Sequence, residues 1–378
     1  MRCSGVKNRL SSLLRMGVWV AAVFSGLLIA FWPGPARGGS APTAWGPMNQ
    51  IEAEARKEGR LVVYAAPGHA NAEAQAALAQ IFKEKYGVVI EWTSLSARDI
   101  GPRVMAEQRT RQYATDLAMS GIAGSYTELK PRGYVLPILA PSTLEKGVWR
   151  LDPAAAVPVE RDWLFINVYL SPSFLVNTKL VRAGEEPRSY KDLLNPKWKG
   201  KIVYQVPWVG GTGSGWFRAT YRALGADYMR ALAKQVVLVP NVNDPPDAVV
   251  RGQYPIALSP SLSWARQLIE EGAPVKFVEP KEGLWLGPLG VVLIANAPHP
   301  NAAKLFLDWF YTREGQTIYA RNNRAVSVRK DVPQDYLAPD QRYVEGEPLM
   351  MAVAEDFTAE GSQRVTKLAK ELFEGSQR

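Results

Sequence analysis

The sequence predicts an α/β protein of two lobes joined by crossing strands, and three observations carry that expectation. Strand-like and helix-like stretches alternate from residue 58 onward, which argues for largely parallel sheets with covering helices. The same alternation restarts near residue 200. Between the two runs, FINVYLSPSFLVNT (165–178) is strand-like and mostly apolar where a flexible linker would be polar. With 378 residues, 47% hydrophobic and 21% charged, the chain has the composition of a globular protein and the length for one large or two ordinary domains.

Taken in order, EGRLVVYAA (58–66) reads as a strand. The stretch after His69, ANAEAQAALAQIFKEKYG, spaces its apolar residues by three and four and ends at Gly87, which predicts a helix. VVIEW (88–92) is a second strand, ARDIGPRVMAEQRT a helix, and DLAMS (116–120) a third strand. The middle repeats the theme: GKIVYQV is a strand, SGWFRATYRALG and DYMRALAKQ are two helices, and VVLVP is a strand. DPPDAVVRG opens a helix with Asp244 as N-cap and Pro245 in the first turn. YPIALS, LSWARQLIEEG and PVKFV follow as strand, helix and strand, and KEGLWLGPLG reads as a loop. VVLIANA and the helix NAAKLFLDWFYT come next; Leu305, Phe306, Trp309 and Phe310 share one face of that helix and read as core. The resulting partition is a signal peptide over 1–40, a first lobe over 45–172 and 281–330, a second lobe over 173–280, and a tail over 331–378. A cleft between lobes is the default place for a ligand.

The first forty residues have the three-part pattern of a cleaved secretory signal: basic MRCSGVKNRLSSLLRMG, apolar VWVAAVFSGLLIAFW, and small residues in PGPARGGSAPTA. The apolar run is 15 residues long and stops at Pro33, short for a membrane span. No Cys follows it, which argues against a lipid anchor. The segment carries Arg2, Lys7, Arg9, Arg15 and Arg37; removing these five from 45 basic residues leaves 40 against 36 acids, a net +4 instead of +9. The high pI is thus largely a targeting signal, and nucleic-acid binding loses its best argument. Cys3, the sole cysteine, leaves with the segment, and with it any disulfide, thiol nucleophile or thiolate metal site.

Enzyme signals are weak. No G-x-S-x-G elbow is present, and no closely spaced carboxylate pair suggests glycosidase chemistry. His69 follows Gly68 in the loop after the first strand, where open α/β sheets present ligand-binding groups, although a solvated histidine at a helix start has the same sequence. His299, between two prolines before a helix, reads as structural. PWVGGTGSGW (207–216) sits between a strand and a helix. It lacks the Lys of a nucleotide-binding P-loop and the G-x-G-x-x-G order. The N–H groups of Gly211, Thr212 and Gly213 and the Thr212 hydroxyl suit a carboxylate, phosphate or sulfate-like group; a plain flexible turn is the competing reading.

Several stretches within 58–335 carry a resemblance: KEGRLVVYAA with FKEKYGVVIEW, VNTKLV with SYKDLLNPKWKGKI (189–202), GQYPIALS, EEGAPVKFVEP, and NAPHPNAAKLFLDWFYTREGQ (296–316) followed by SVRKDV. They resemble the periplasmic solute-binding proteins of ABC importers, in the branch that includes the ferric-ion-binding proteins. The resemblance implies the type II fold, two α/β lobes with crossing hinge strands closing over a ligand. It also implies delivery to a membrane permease driven by a cytoplasmic ATPase. Ferric binders of this branch use a His in the first loop, a Glu after the third strand and adjacent tyrosines in the second lobe. His69 sits close to the first position, but the others fall near Gly121 and near Leu262 and Ser263. Ferric iron needs hard anionic oxygen donors, so the iron site of the branch is not expected here.

In the family, the loop corresponding to GGTG holds an anion through backbone N–H groups. The resemblance therefore implies a ligand-binding set of His69, Ser120, Gly121, Trp208, Gly211, Thr212, Gly213, Ser214, Ser261, Trp264 and Trp285, with Arg98 as a candidate counter-charge. Trp208, Trp264 and Trp285 are expected in loops facing the cleft, with core or surface packing as the alternative for the first two. The expected protein is a periplasmic, monomeric, non-enzymatic binding component for a small anionic organic solute, with no metal or cofactor. Its rivals are a metal-ion binder with a non-tyrosine site and a sensor subunit presenting the same ligand.

Overall fold

The computed structural model describes residues 45–376 except 158–159, 172, 347–348 and 353. The expected signal segment and Cys3 lie outside the described residues. Among the described residues no helix is long and apolar enough to cross a membrane.

The chain enters through α1 (Met48–Glu58), β1 (Arg60–Ala65), α2 (Ala72–Tyr86), β2 (Val89–Ser94), α3 (Ala97–Thr110), β3 (Leu117–Gly121), α4 (Ile122–Leu129) and β4 (Val135–Leu136). Three short strands then carry it across: β5 (Leu164–Phe165), β6 (Tyr169–Ser171) and β7 (Phe174–Asn177). The second lobe holds β8 (Ile202–Gln205), α5 (Thr212–Ala233), β9 (Val236–Val239), α6 (Asp244–Val250), β10 (Ile256–Leu258), α7 (Leu262–Glu270) and β11 (Val275–Val278). Strands β12 (Leu284–Gly287) and β13 (Leu289–Ile294) return the chain to α8 (Pro300–Phe310) and α9 (Arg313–Asn323), and β14 (Leu349–Met350) and α10 (Ala359–Phe373) end it.

Each lobe is built on its own sheet. The first has strand order β2-β1-β3-β13-β4, with β5 also on β13; the second has order β11-β7-β10-β8-β9. In the first, β1 pairs in parallel with β2 and β3 while β13 runs antiparallel to β3. In the second, β8, β9 and β10 are parallel and β7 is antiparallel to β10. A third, small sheet of order β14-β12-β6 forms the crossing: Trp285 pairs with Ser171 and Gly287 with Tyr169 across antiparallel strands. The result is two α/β lobes joined by crossing hinge strands, as the sequence predicts.

Local chemistry explains most boundaries. Helix α2 starts where the Asn71 side chain accepts from Ala74 N–H and stops at Gly87 in the left-handed region, as its pattern predicts. The two helices expected over 214–234 run as one element broken at Gly225, whose φ of 79° and ψ of 175° are not helical. Leu305, Phe306, Trp309 and Phe310 are buried in the first-lobe core. KEGLWLGPLG differs from its loop reading: residues 284–287 are a fully buried strand. Glycine and proline composition hid it, because the strand owes its existence to pairing with β6 and β14 and not to its own propensity.

His299 belongs to this framework. Asp116, fully buried, accepts from Val62 N–H at 2.7 Å, His299 N–H at 2.7 Å and His299 Nδ1 at 3.0 Å, fastening the start of α8 to the first sheet. The tail packs α10 on α5, where Val365, Ala369, Leu372 and Phe373 join the second-lobe core. Asp356 reinforces that contact, accepting from Arg222 Nε at 2.7 Å.

Candidate functional site

Strand direction gathers the candidate residues. In the first lobe, the loop after β1, the end of β3, the end of β5 and the start of β13 all meet one edge of the sheet, since β13 runs against β3 and β5. His69, Ser120, Gly121 and Asn167 lie along that edge. In the second lobe, the ends of β8 and β10 and the start of β7 share an edge, bringing the 206–214 turn together with Ser259, Pro260 and Ser261. The hinge strands β6 and β12 run between these edges. Ligands of open α/β sheets sit at such carboxyl ends.

The first jaw is made of side chains. His69 is 4% exposed, and neither ring nitrogen has a hydrogen-bond partner. Burial lowers its pKa to about 4, against the smaller opposing pull of the Pro67, Ala66 and Ser120 backbone, so the ring is neutral at ordinary pH. Its backbone is held firmly: His69 N–H donates to the Ala66 carbonyl at 3.1 Å, and the Tyr319 hydroxyl donates to the His69 carbonyl at 2.6 Å. Tyr319 in turn accepts from Asn167 Nδ2 at 3.0 Å and Asn323 Nδ2 at 3.1 Å. Ser120 is fully buried, donating to the Gly121 carbonyl at 3.1 Å, and Gly121 caps α4. Arg98 is exposed in the first turn of α3.

The second jaw is made of backbone. Gly211 caps α5 with φ 137° and ψ −164°, a conformation that favours glycine. A Cβ on Gly213 would lie 2.5 Å from the Gln205 carbonyl oxygen, so the turn closes on β8 only because that position has no side chain. Gln205 Oε1 accepts the Gly213 N–H at 2.9 Å, Tyr204 Oη donates to the Gly213 carbonyl at 2.6 Å, and Thr212 and Ser259 exchange hydroxyl-to-carbonyl bonds of 2.8 and 2.9 Å. The Gly213 N–H and the Thr212 hydroxyl, both candidate anion donors, are therefore engaged by the protein itself. Among the described residues, no hydrogen bond is made by the N–H groups of Gly211, Thr212 or Ser214. Three backbone donors at the start of α5 are thus without a protein partner, as is usual in the first turn of a helix.

The tryptophans divide. Trp208 is half-buried against the second-lobe core. Trp264 and Trp285 stand on regular elements and not in loops: Trp264 in α7 donates to Asp247 Oδ1 at 2.6 Å, and Trp285 lies in hinge strand β12. Trp285 is 3% exposed, its indole N–H has no partner, and its ring lies against Gly215 in the first turn of α5, where a Cβ would come within 2.9 Å. It ties the hinge to the backbone jaw. Ser261 is half-buried at the N-cap of α7 and makes no capping bond through its side chain.

Asn167, Tyr319 and Gln205 escaped the sequence reading. One signal could have found Asn167, a lone amide inside the apolar run FINVYL. Among the described residues no group of three His, Cys, Asp or Glu is placed to hold a metal. Tyr319, whose hydroxyl bonds the His69 carbonyl, is buried, its pKa is pushed up by burial, and its proton is committed to that carbonyl.

Two lobes whose sheet edges flank a crossing hinge are the architecture of a solute-binding protein. The chain belongs to the family of bacterial extracellular solute-binding proteins, whose signature matches residues 61–322. It is accordingly a periplasmic solute-binding protein of the ABC-importer class, a family of transport components that work with a permease and its ATPase. An uncharacterized protein of Haemophilus influenzae is 26% identical over 289 residues, covering 74% of this chain and 80% of its own. Among solved structures, the periplasmic binding protein AfuA from Actinobacillus pleuropneumoniae with fructose-6-phosphate bound is 20% identical, with a TM-score of 0.64, covering 84% of this chain and 99% of that one. Trichodesmium IdiA (FutA) in complex with iron and citrate is 20% identical, with a TM-score of 0.68, covering 83% and 99%. At these identities the likeness speaks for the fold.

Proposed function

We propose that the protein captures a small anionic organic solute, a carboxylate, phosphonate or phosphate ester, by closing its lobes and hands it to the permease. It would act as a monomer, exported by a cleaved N-terminal signal, without catalysis and without a metal. The observation that carries this reading is the start of α5. Gly211, Thr212 and Ser214 leave three N–H groups without protein partners at the positive end of a helix, on a turn held open by glycine. Support comes from the structural relatives named above, which hold fructose-6-phosphate in one case and citrate together with iron in the other; both organic ligands carry anionic oxygens. Closure would exclude water and strengthen each of these bonds.

The test is a thermal-shift and calorimetric screen of organic acids, phosphonates and phosphate esters, with Ser214→Pro as the diagnostic variant. Proline in the first turn of a helix removes an N–H that has no helical partner, so the fold should tolerate it. Loss of one charge-assisted bond is expected to weaken binding roughly 10- to 100-fold, with the melting temperature of the ligand-free protein little changed. Unaltered affinity would reject the cradle. Native mass spectrometry showing stoichiometric iron without an organic anion would favour the metal-binding rival instead.

A further inference from the structure

We infer that the first jaw reads hydroxyl groups, so that the solute is an anion carried on a polyhydroxylated, sugar-like body; this rests on the cradle reading above and extends it to the other end of the ligand. The argument begins with Tyr319. Its single proton goes to the His69 carbonyl at 2.6 Å, so its oxygen can only accept from its other neighbours. Asn167 must therefore present its NH2 to Tyr319, at 3.0 Å, and this fixes the amide the other way round at its far end. Oδ1 of Asn167, on a side chain of a residue only 2% exposed, is left without a partner. Beside it on the same sheet edge stands the His69 ring, 4% exposed, with both nitrogens unpartnered.

A neutral imidazole offers one acceptor and one N–H, and Asn167 Oδ1 adds a second acceptor. Phosphate and carboxylate oxygens only accept, so an anionic group can satisfy at most the N–H. Both acceptors need a donor. A hydroxyl supplies one and can accept from the imidazole N–H as well. An ammonium group also donates, but its charge would call for a carboxylate once desolvated, and residues 66–71, 119–122, 165–168 and 287–289 along this edge contain no Asp or Glu. A buried acceptor left unmet is costly, and a vicinal pair of ligand hydroxyls meets Asn167 and His69 together.

The experiment compares matched ligands on the wild-type protein by calorimetry. Fructose 6-phosphate is set against propyl phosphate, gluconate against hexanoate, and 2-aminoethyl phosphonate and free fructose are added. At least one polyhydroxylated anion should bind tenfold or more tightly than its hydroxyl-free partner, and Asn167→Leu should erase that ratio while leaving the weaker partner's affinity within about twofold. Equal binding within both pairs would overturn the inference and leave the cradle standing, as would tightest binding of the aminophosphonate. Free fructose binding as tightly as its phosphate would instead overturn the cradle and keep the hydroxyl reading. Binding of none of the six compounds would overturn both. Because the ratios are measured on the unmodified chain, a variant that fails to fold does not protect the proposal.

Discussion

In the proposed reading, recognition along the cleft edge of the first lobe falls to side chains: His69, Ser120 and Asn167 bring polar groups that are buried and, in His69 and Asn167, partly unsatisfied. Along the matching edge of the second lobe it falls to the peptide backbone, shaped by Gly211 and Gly213 and braced by Gln205, Tyr204 and Ser259. The difference separates two tasks. Backbone N–H groups at a helix start offer charge complementarity to almost any anion, because every anion presents acceptors. Side-chain groups with fixed donor and acceptor roles discriminate, because a ligand lacking the right hydroxyl leaves them unpaired. On that reading a jaw of the first kind would hold the anion common to a class of solutes, and a jaw of the second kind would choose among them.

The sharpest way to break this comparison is to put a methyl group on each jaw's critical position. Gly213→Ala places a Cβ 2.5 Å from the Gln205 backbone oxygen, an atom that cannot swing aside as a side-chain end can. We expect a loss of about 3 kcal/mol in urea denaturation together with loss of ligand-induced stabilisation. Ser120→Ala, on the side-chain jaw, removes one hydroxyl whose 3.1 Å bond runs to the neighbouring Gly121 carbonyl, and should cost about 1 kcal/mol. Similar costs for the two substitutions would show that the second jaw is not the rigid backbone device described here.

How much of this could be read beforehand follows the same division. The strand–helix alternation, the Gly87 cap and the buried Leu305–Phe310 stripe are local patterns, and the sequence displays them directly. Hinge strand β12 was invisible because LWLG becomes a strand only through partners more than a hundred residues upstream and sixty downstream. The Gln205 clamp was hidden for a related reason: a glutamine ending the strand GKIVYQV gives no sign that its side chain turns back onto Gly213. Likewise Asn167 and Tyr319 are 152 residues apart, and nothing local joins them. Glycine-rich turns advertise themselves by composition, whereas buried side-chain networks depend on tertiary proximity.

Acid provides the next test, since only the side-chain jaw holds a histidine. With a folded pKa of about 4 against 6.5 for an unperturbed imidazole, His69 stays neutral in the native state while the unfolded chain takes up a proton. Its contribution is therefore present above pH 6.5 and is lost as pH falls toward 4. Between pH 7 and pH 5 it should remove about 2 kcal/mol of stability. His69→Gln should flatten that part of the curve, seen as the difference between the two proteins' denaturation midpoints across pH. Parallel curves would mean that His69 is solvated and partnered, which would withdraw it from the first jaw.

The smallest effect is expected where the two jaws meet. Trp285 stacks on Gly215 in the turn that starts α5, yet sits in the hinge strand that leads toward Gly287 and the first lobe. Trp285→Phe deletes the unpartnered indole N–H and also shortens the ring, withdrawing the Cζ3 and Cη2 atoms that face Gly215. In the ligand-free protein that N–H stabilises nothing, and the cost is the space left by the shorter ring, about 1 kcal/mol. If the indole donates to the ligand on closure, affinity should fall about fivefold, the worth of one neutral hydrogen bond. Weakened binding beside that small loss of stability would assign Trp285 to both jaws at once. A loss of stability with unchanged affinity would confine it to packing, and recognition would then divide cleanly between backbone on one side and His69 with Asn167 on the other.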